Sequence, residues 1–220
     1  MSMELQSPTV SLARLNEPAP VFEAITTHGK IKLTDFLGKW VVLFSHPADF
    51  TPVCSTEFGS FASRQAEFAD RNVQLIGLSV DGVQAHLAWI HDIESVFGQK
   101  ISFPVIADLD MKVSSMYGMI QPGASTTSAV RAVFIIDDKG ILRAMVYYPM
   151  NVGRNISEIL RVVDALQTSD KHGVSTPADW TPGQPVVVAP PATASALETK
   201  EEAEAKGYDY KRWYLRTKTI

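Results

Sequence analysis

A single cysteine, Cys54, stands in this chain of 220 residues, so no disulfide can form within one copy. Any disulfide must join Cys54 to a second copy or to an outside thiol. Such sparse cysteine usage fits a reducing, cytoplasmic setting. No apolar run approaches the roughly 20 residues that a membrane span needs. The first ten residues lack a basic start followed by an apolar stretch, so no secretory leader is expected. Positive charge is also in the minority, 20 Lys and Arg against 24 Asp and Glu for a net charge of −4. That balance argues against general binding to nucleic acid or to anionic membranes. Walker loop, Gly-x-Gly-x-x-Gly, paired-cysteine zinc spacing and internal repeats are all missing, and neither a metal nor a cofactor is expected.

What remains is an ordinary globular composition, 45% apolar and 20% charged, enough for one substantial domain with an appendage. Val21–Ala24 and Lys30–Leu33 flank a Thr-His-Gly turn and read as a hairpin. Trp40–Ser45 is a buried strand. A helix from Pro52 to about Asp70 follows, with Phe58, Phe61, Ala62, Gln65 and Phe68 on one face. Val73–Val80 is a second strand, and Gly82–Phe97 a second helix with Leu87, Ile90, Ile93, Val96 and Phe97 as its apolar side. Ser102–Val105 reads as a loop and Lys112–Met119 as a short helix. Ala129–Asp137 and Ile141–Tyr148 form a hairpin around Asp138-Lys139-Gly140, and Asn155–Gln167 is a further helix. This order predicts a thioredoxin-like α/β fold, a central mixed sheet flanked by helices, over residues 1–168.

From about residue 170 the prolines at 177, 182, 185, 190 and 191 impose an extended path. Ser195-Ala196-Leu197-Glu198 reads as a capping box for a helix reaching about Lys206. The aromatic and basic tail Tyr208–Leu215 completes an arm, 169–220, expected to wrap a partner subunit.

Cys54 lies where a strand gives way to a helix. Thr51 occupies the N-cap position and Pro52 the first helical position, where its missing N–H costs nothing. Cys54 then faces the unpaired N–H groups and the positive end of the helix dipole, surroundings that favour a thiolate over a thiol. The alternative is a buried apolar filler.

Pro47-x-x-x-Thr51-x-x-Cys54 resembles the active-site signature of the peroxiredoxin family. Ala129–Asp137 and Tyr148–Asn155 match two further family stretches in the expected order. His46 before the signature proline, together with the long arm, resembles the 1-Cys branch typified by peroxiredoxin 6. The resemblance implies a thiol-dependent peroxidase acting on hydrogen peroxide and organic hydroperoxides through a cysteine sulfenic acid. Cys54 is then the peroxidatic nucleophile, Thr51 hydrogen-bonds the peroxide, Pro47 shields the thiolate, and Arg131 stabilises the developing charge.

Arg154 corresponds to a second supporting arginine, with a purely structural role as the alternative. His46 corresponds to a histidine near the peroxide; the other reading is a strand-end histidine bonded to backbone. Glu57, one turn after Cys54, orients Arg131 or Arg154, or else is a solvated carboxylate at a helix start. His86 and His91, five residues apart, are assigned structural roles. With no second cysteine, the sulfenic acid needs an external thiol, thioredoxin-like, glutathione or another small thiol. A homodimer through the arm, or a ring of five dimers, is the assembly expected by resemblance. The phospholipase activity credited to the mammalian relative rests on a Gly-x-Ser-x-Gly element absent here. The competing function is a peroxide-sensing or chaperone-like scaffold whose assembly depends on oxidation.

Overall fold

The computed structural model describes residues 13–220. By compactness the chain divides into a unit ending at Ile156 and a second unit, Ser157–Ile220.

Within the first unit, β1 (Glu23–Thr26) and β2 (Gly29–Lys32) form the expected hairpin, two residues later than the sequence suggests at its first strand. Gly29 takes φ +89°, a conformation open to glycine, and the Thr26 hydroxyl closes the turn by accepting from His28 N–H and donating to the Gly29 carbonyl. The strand β3 (Trp40–Ser45) is buried at every position, as a continuous apolar run requires when helices cover both faces. α1 (Pro52–Asp70), β4 (Val73–Ser79) and α2 (Val83–Phe97) follow close to their expected bounds. Val105–Ala107, whose first residue closes the expected Ser102–Val105 loop, is a short strand β5, pinned between β4 and β1 by backbone pairing that three residues cannot announce. α3 (Lys112–Met116) is shorter than expected; β6 (Arg131–Ile136) and β7 (Leu142–Tyr148) form the second hairpin.

The seven strands pair in the order β2-β1-β5-β4-β3-β6-β7, with β3, β4 and β5 parallel and the outer pairings antiparallel. This is the mixed sheet of a thioredoxin-like fold, with β4 at its centre and β3 beside it. Side chains alternate across β3. Val41 and Leu43 enter a core with Ile76, Leu78, Tyr117 and Phe134. Phe44 points the other way, stacked on Phe61 with ring centroids 4.0 Å apart and edge-on to Phe58 at 5.4 Å. Gly77 of β4 lets that layer close: a Cβ there would sit 3.1 Å from the Phe58 ring.

The buried side of α2 differs from the expected one. His86, Trp89 and Ile93 are buried, whereas Leu87, Val96 and Phe97 are exposed. Hydropathy favours the leucine and valine, but the true face is chosen by what the histidine and tryptophan bond to near α1.

In the second unit, α4 (Ile156–His172) runs one turn beyond its expected end. A two-residue strand β8 (Val186–Val187) lies in the proline-rich stretch. The capping box falls at Thr199 and Glu202, not at Ser195: Glu202 N–H donates to Thr199 Oγ1 and Thr199 N–H to Glu202, opening α5 (Lys200–Ala205), while Ala194–Ala196 is a 3-10 turn. The tail folds as a hairpin, β9 (Asp209–Arg212) and β10 (Leu215–Lys218), with β10 paired to β8. Buried Arg216 donates to Glu198 and to the Ala189 carbonyl. Trp180, Ala165 and Val186 form a small core, and Trp213 and Tyr214 stand exposed at the hairpin turn.

Candidate active site

The loop from β3 to α1 delivers the thiol. His46 ends the strand, Pro47 and Ala48 are half-buried, and Phe50 takes φ +55°, a left-handed conformation costly for an aromatic residue. Thr51 is the backbone N-cap with Pro52 at N1, but its hydroxyl does not cap. It donates instead to the Ala48 carbonyl at 2.9 Å. Its proton is thereby committed inward, and the lone pairs on its oxygen remain able to accept. Cys54, in the first turn, is fully buried.

Arg131, the first residue of β6, is aimed at that turn. Its Nη1 donates to Cys54 Sγ at 3.3 Å and to Glu57 Oε2 at 2.6 Å, and its Nε donates to the Met150 carbonyl at 2.9 Å. Glu57, one turn after Cys54, is buried rather than solvated. It accepts also from Arg154, through the backbone N–H, Nε and Nη2 at 2.8, 2.9 and 2.7 Å. Arg154 Nη1 reaches the Ser45 and Ala132 carbonyls at 2.8 and 3.0 Å, tying the site to β3 and β6. Burial pushes the Glu57 carboxyl up, yet Arg154 and Arg131 outweigh it and hold the group below its usual value. Burial pulls the Arg154 guanidinium down, against the opposing pull of Glu57.

The structure therefore brings Cys54, Glu57, Arg131 and Arg154 into one buried group. Thr51 lies three residues before the thiol and Pro47 seven before. Two buried guanidiniums face one carboxylate and the sulfur, so the four groups balance in charge when the sulfur is a thiolate. An unbalanced buried charge costs several kcal/mol, roughly, so a neutral sulfur leaves the two guanidiniums under-compensated.

His46 is not bonded to backbone through its ring, as one reading of the sequence held. Its Nε2 meets Asp49 Oδ1 at 2.9 Å, and the ring lies between Trp89 (centroids 4.9 Å) and Phe58 (4.8 Å). Asp49 is the residue that sequence reasoning missed, and it is the partner of His86, which was assigned a structural role. His86 Nδ1 meets Asp49 Oδ2 at 2.7 Å and its Nε2 meets the Ile106 carbonyl at 3.1 Å. The available signal was the i, i+3 pairing of His46 and Asp49 within one loop. Exposed His91 keeps no such partner role. Among the described residues, His46, Asp49 and His86 form the one His, Cys and acidic cluster with donor atoms within 4.8 Å of one another. The atoms that face one another, His46 Nε2, both Asp49 carboxylate oxygens and His86 Nδ1, are paired among themselves, so the cluster is a hydrogen-bonded triad.

A fold of this kind with a guanidinium-bound thiol at a helix start defines a thiol-dependent peroxidase of the thioredoxin-like class. Comparison with known proteins agrees. The AhpC/TSA family model matches residues 15–145, and the model of the C-terminal domain of 1-Cys peroxiredoxin matches residues 165–203. A peroxiredoxin of Aquifex aeolicus is 55% identical over 222 residues, covering 96% of this chain and 99% of that protein. Among solved structures, the yeast mitochondrial 1-Cys peroxiredoxin superposes with TM-score 0.84 at 44% identity, covering 95% of this chain and 100% of the other. The C45S mutant of peroxiredoxin 6 of Arenicola marina gives TM-score 0.84 at 40% identity, covering 94% and 97%. The chain belongs to the peroxiredoxin family, with the C-terminal domain of its 1-Cys members.

Proposed function

We propose that this thiol-dependent peroxidase reduces hydrogen peroxide and organic hydroperoxides through Cys54, with a thiol from outside the chain closing the cycle. The observation that carries the reading is the 3.3 Å contact from Arg131 Nη1 to Cys54 Sγ, backed by the Glu57 bridge to Arg154. The thiolate attacks one peroxide oxygen, the O–O bond breaks, and the second oxygen leaves with the bonding pair and takes a proton. Cys54 becomes a sulfenic acid and the leaving group becomes water or an alcohol. Arg131 donates where negative charge grows. The Thr51 hydroxyl oxygen, its proton held by Ala48, accepts from the peroxide hydroxyl and orients it. Half-buried Pro47 limits water at the sulfur.

An incoming thiol then displaces water from the sulfenic acid to form a mixed disulfide, and a second thiol releases reduced Cys54. The yeast mitochondrial relative resolves its thiol through the glutathione/thioredoxin systems, which supports either reductant here. The assembly read from resemblance is a homodimer built through the arm, with a ring of five dimers as the larger form. Exposed Trp213 and Tyr214 support a contact there.

The test is stopped-flow reaction of pre-reduced protein with hydrogen peroxide at pH 7, with Cys54→Ser as blank. A rate far above that of free cysteine is expected. A rate equal to free cysteine in the folded protein would sink the peroxidase reading. The lone cysteine favours one second reading, an oxidation-dependent scaffold. Sustained turnover with glutathione or thioredoxin is the expected result and would exclude it.

A further inference from the structure

The Asp49–His86 pair lies outside the arginine–carboxylate group that holds the thiol, and its hydrogen bonds fix where its protons are. The Ile106 carbonyl only accepts, so His86 Nε2 carries a hydrogen. His86 Nδ1 and Asp49 Oδ2 are 2.7 Å apart, too close for two lone pairs to face each other, so one proton lies between them. The pair is neutral overall whichever atom holds that proton. Asp49 Oδ1 then accepts from His46 Nε2 at 2.9 Å, and His46 is the Nε2–H tautomer. Its Nδ1 is a bare lone pair, buried and without a partner among the described residues.

The reverse arrangement, Asp49 donating to His46, would leave an uncompensated His86 cation and a buried, unpaired His46 Nδ1–H. Burial also holds His46 below its ordinary value, against the pull of Asp49, so the ring stays neutral. Asp81 is the other charged group facing the cluster; it accepts from Asp49 N–H at 3.0 Å and from Ser79 Oγ at 2.6 Å. Stacking on Trp89, whose Nε1 donates to Ser55 Oγ at 3.1 Å, locks the His46 ring beside the first turn of α1.

We propose that His86, through the proton it shares with Asp49, is a positioning residue that holds His46 in the one tautomer presenting Nδ1 as an acceptor beside the peroxidatic turn. The inference rests on the peroxidase reading for its purpose, while the tautomer itself does not depend on activity. A peroxide hydroxyl entering a dry pocket needs acceptors, and a neutral imidazole nitrogen supplies one where a carboxylate would add unbalanced charge.

The experiment is ¹⁵N NMR of the full chain labelled at the histidine ring nitrogens, from about pH 5.5 to 8.5. In the native protein His46 should carry hydrogen on Nε2 and none on Nδ1 across that range. His86→Leu removes the proton partner, so Asp49 takes up a proton and passes it toward His46. The His46 hydrogen should then move to Nδ1, and the peroxide rate should fall about tenfold or more and become pH-dependent. Asp49→Asn offers one acceptor and one donor, so His46 should keep its tautomer while His86 loses a proton. Hydrogen on His46 Nδ1 in the native protein overturns the proposal, and that observation needs no variant to fold. A His86→Leu rate loss with unchanged tautomer and pH profile overturns it too, as purely structural. An inactive protein with the expected tautomer would count against the peroxidase reading alone.

Discussion

Arg154 holds Glu57 through three of its own nitrogens, the main-chain N–H and Nε on Oε1 and Nη2 on Oε2, so one residue fixes both carboxylate oxygens. Glu57 can then present Oε2 to Arg131 at 2.6 Å in a single orientation, and Arg131 reaches the sulfur from that anchor.

Replacing Glu57 by Gln should therefore destabilise the fold. Two buried guanidiniums would lose their shared anion, and the fold should lose about 3–5 kcal/mol. Urea unfolding of the reduced protein checks this. A loss under about 1 kcal/mol would mean that the arginines find other partners.

Arg131→Ala should slow reaction with hydrogen peroxide by about a hundredfold or more, the usual consequence of removing a donor placed where charge develops. Stability should change less than for Glu57→Gln, because Arg154 still satisfies the carboxylate. Stopped-flow kinetics beside the native protein and Cys54→Ser separates the two effects.

Stability should fall in two stages as pH drops. His46 is held below its ordinary value of about 6.5 by burial, so the unfolded chain binds a proton that the folded one refuses. Its contribution is complete above about pH 6.5 and is lost progressively beneath it. Glu57 is also held below its ordinary value of about 4.3, so its contribution is present above that pH and lost as pH falls through the folded value. Urea midpoints measured from pH 8 to pH 3 should show both steps, and His46→Gln should remove the upper one. A flat curve between about pH 7 and 5 would contradict the first.

Tryptophan emission should report oxidation chiefly through Trp89. It is fully buried, stacks on His46, and donates to the side chain next to Cys54. Trp40 stands at the start of β3, the end away from the turn that carries Cys54, so Trp89→Phe should abolish most of the fluorescence change on adding peroxide. Survival of the full signal would place the reporter elsewhere.

Where local chemistry dictates an element, the sequence marks it. Thr51 and Pro52 start α1, and the continuous apolar run of β3 ends at Ser45 as expected. Elements set by distant partners were not legible. β5 exists because β1 and β4 bracket it. The buried side of α2 depends on His86 finding Asp49 across a sequence gap of 37 residues. At the arm, two capping boxes compete in principle, and Thr199 with Glu202 wins where Ser195 does not. Cys54, Glu57, Arg131 and Arg154 were named from sequence and are found in one contact group, whereas Asp49, with only its spacing from His46 to mark it, was not.

The arrangement around Glu57 also sets the fate of the oxidised protein. Conversion of the thiolate to a neutral sulfenic acid removes one negative charge from a group that keeps both guanidiniums. The oxidised pocket is then an anion trap, drawing in the thiolate that regenerates it. A second oxidation to sulfinate refills the same vacancy of charge and ends the cycle. Reductant and excess peroxide thus contend for one position, and mass spectrometry should find the sulfinate fraction rising with the ratio of peroxide to thiol.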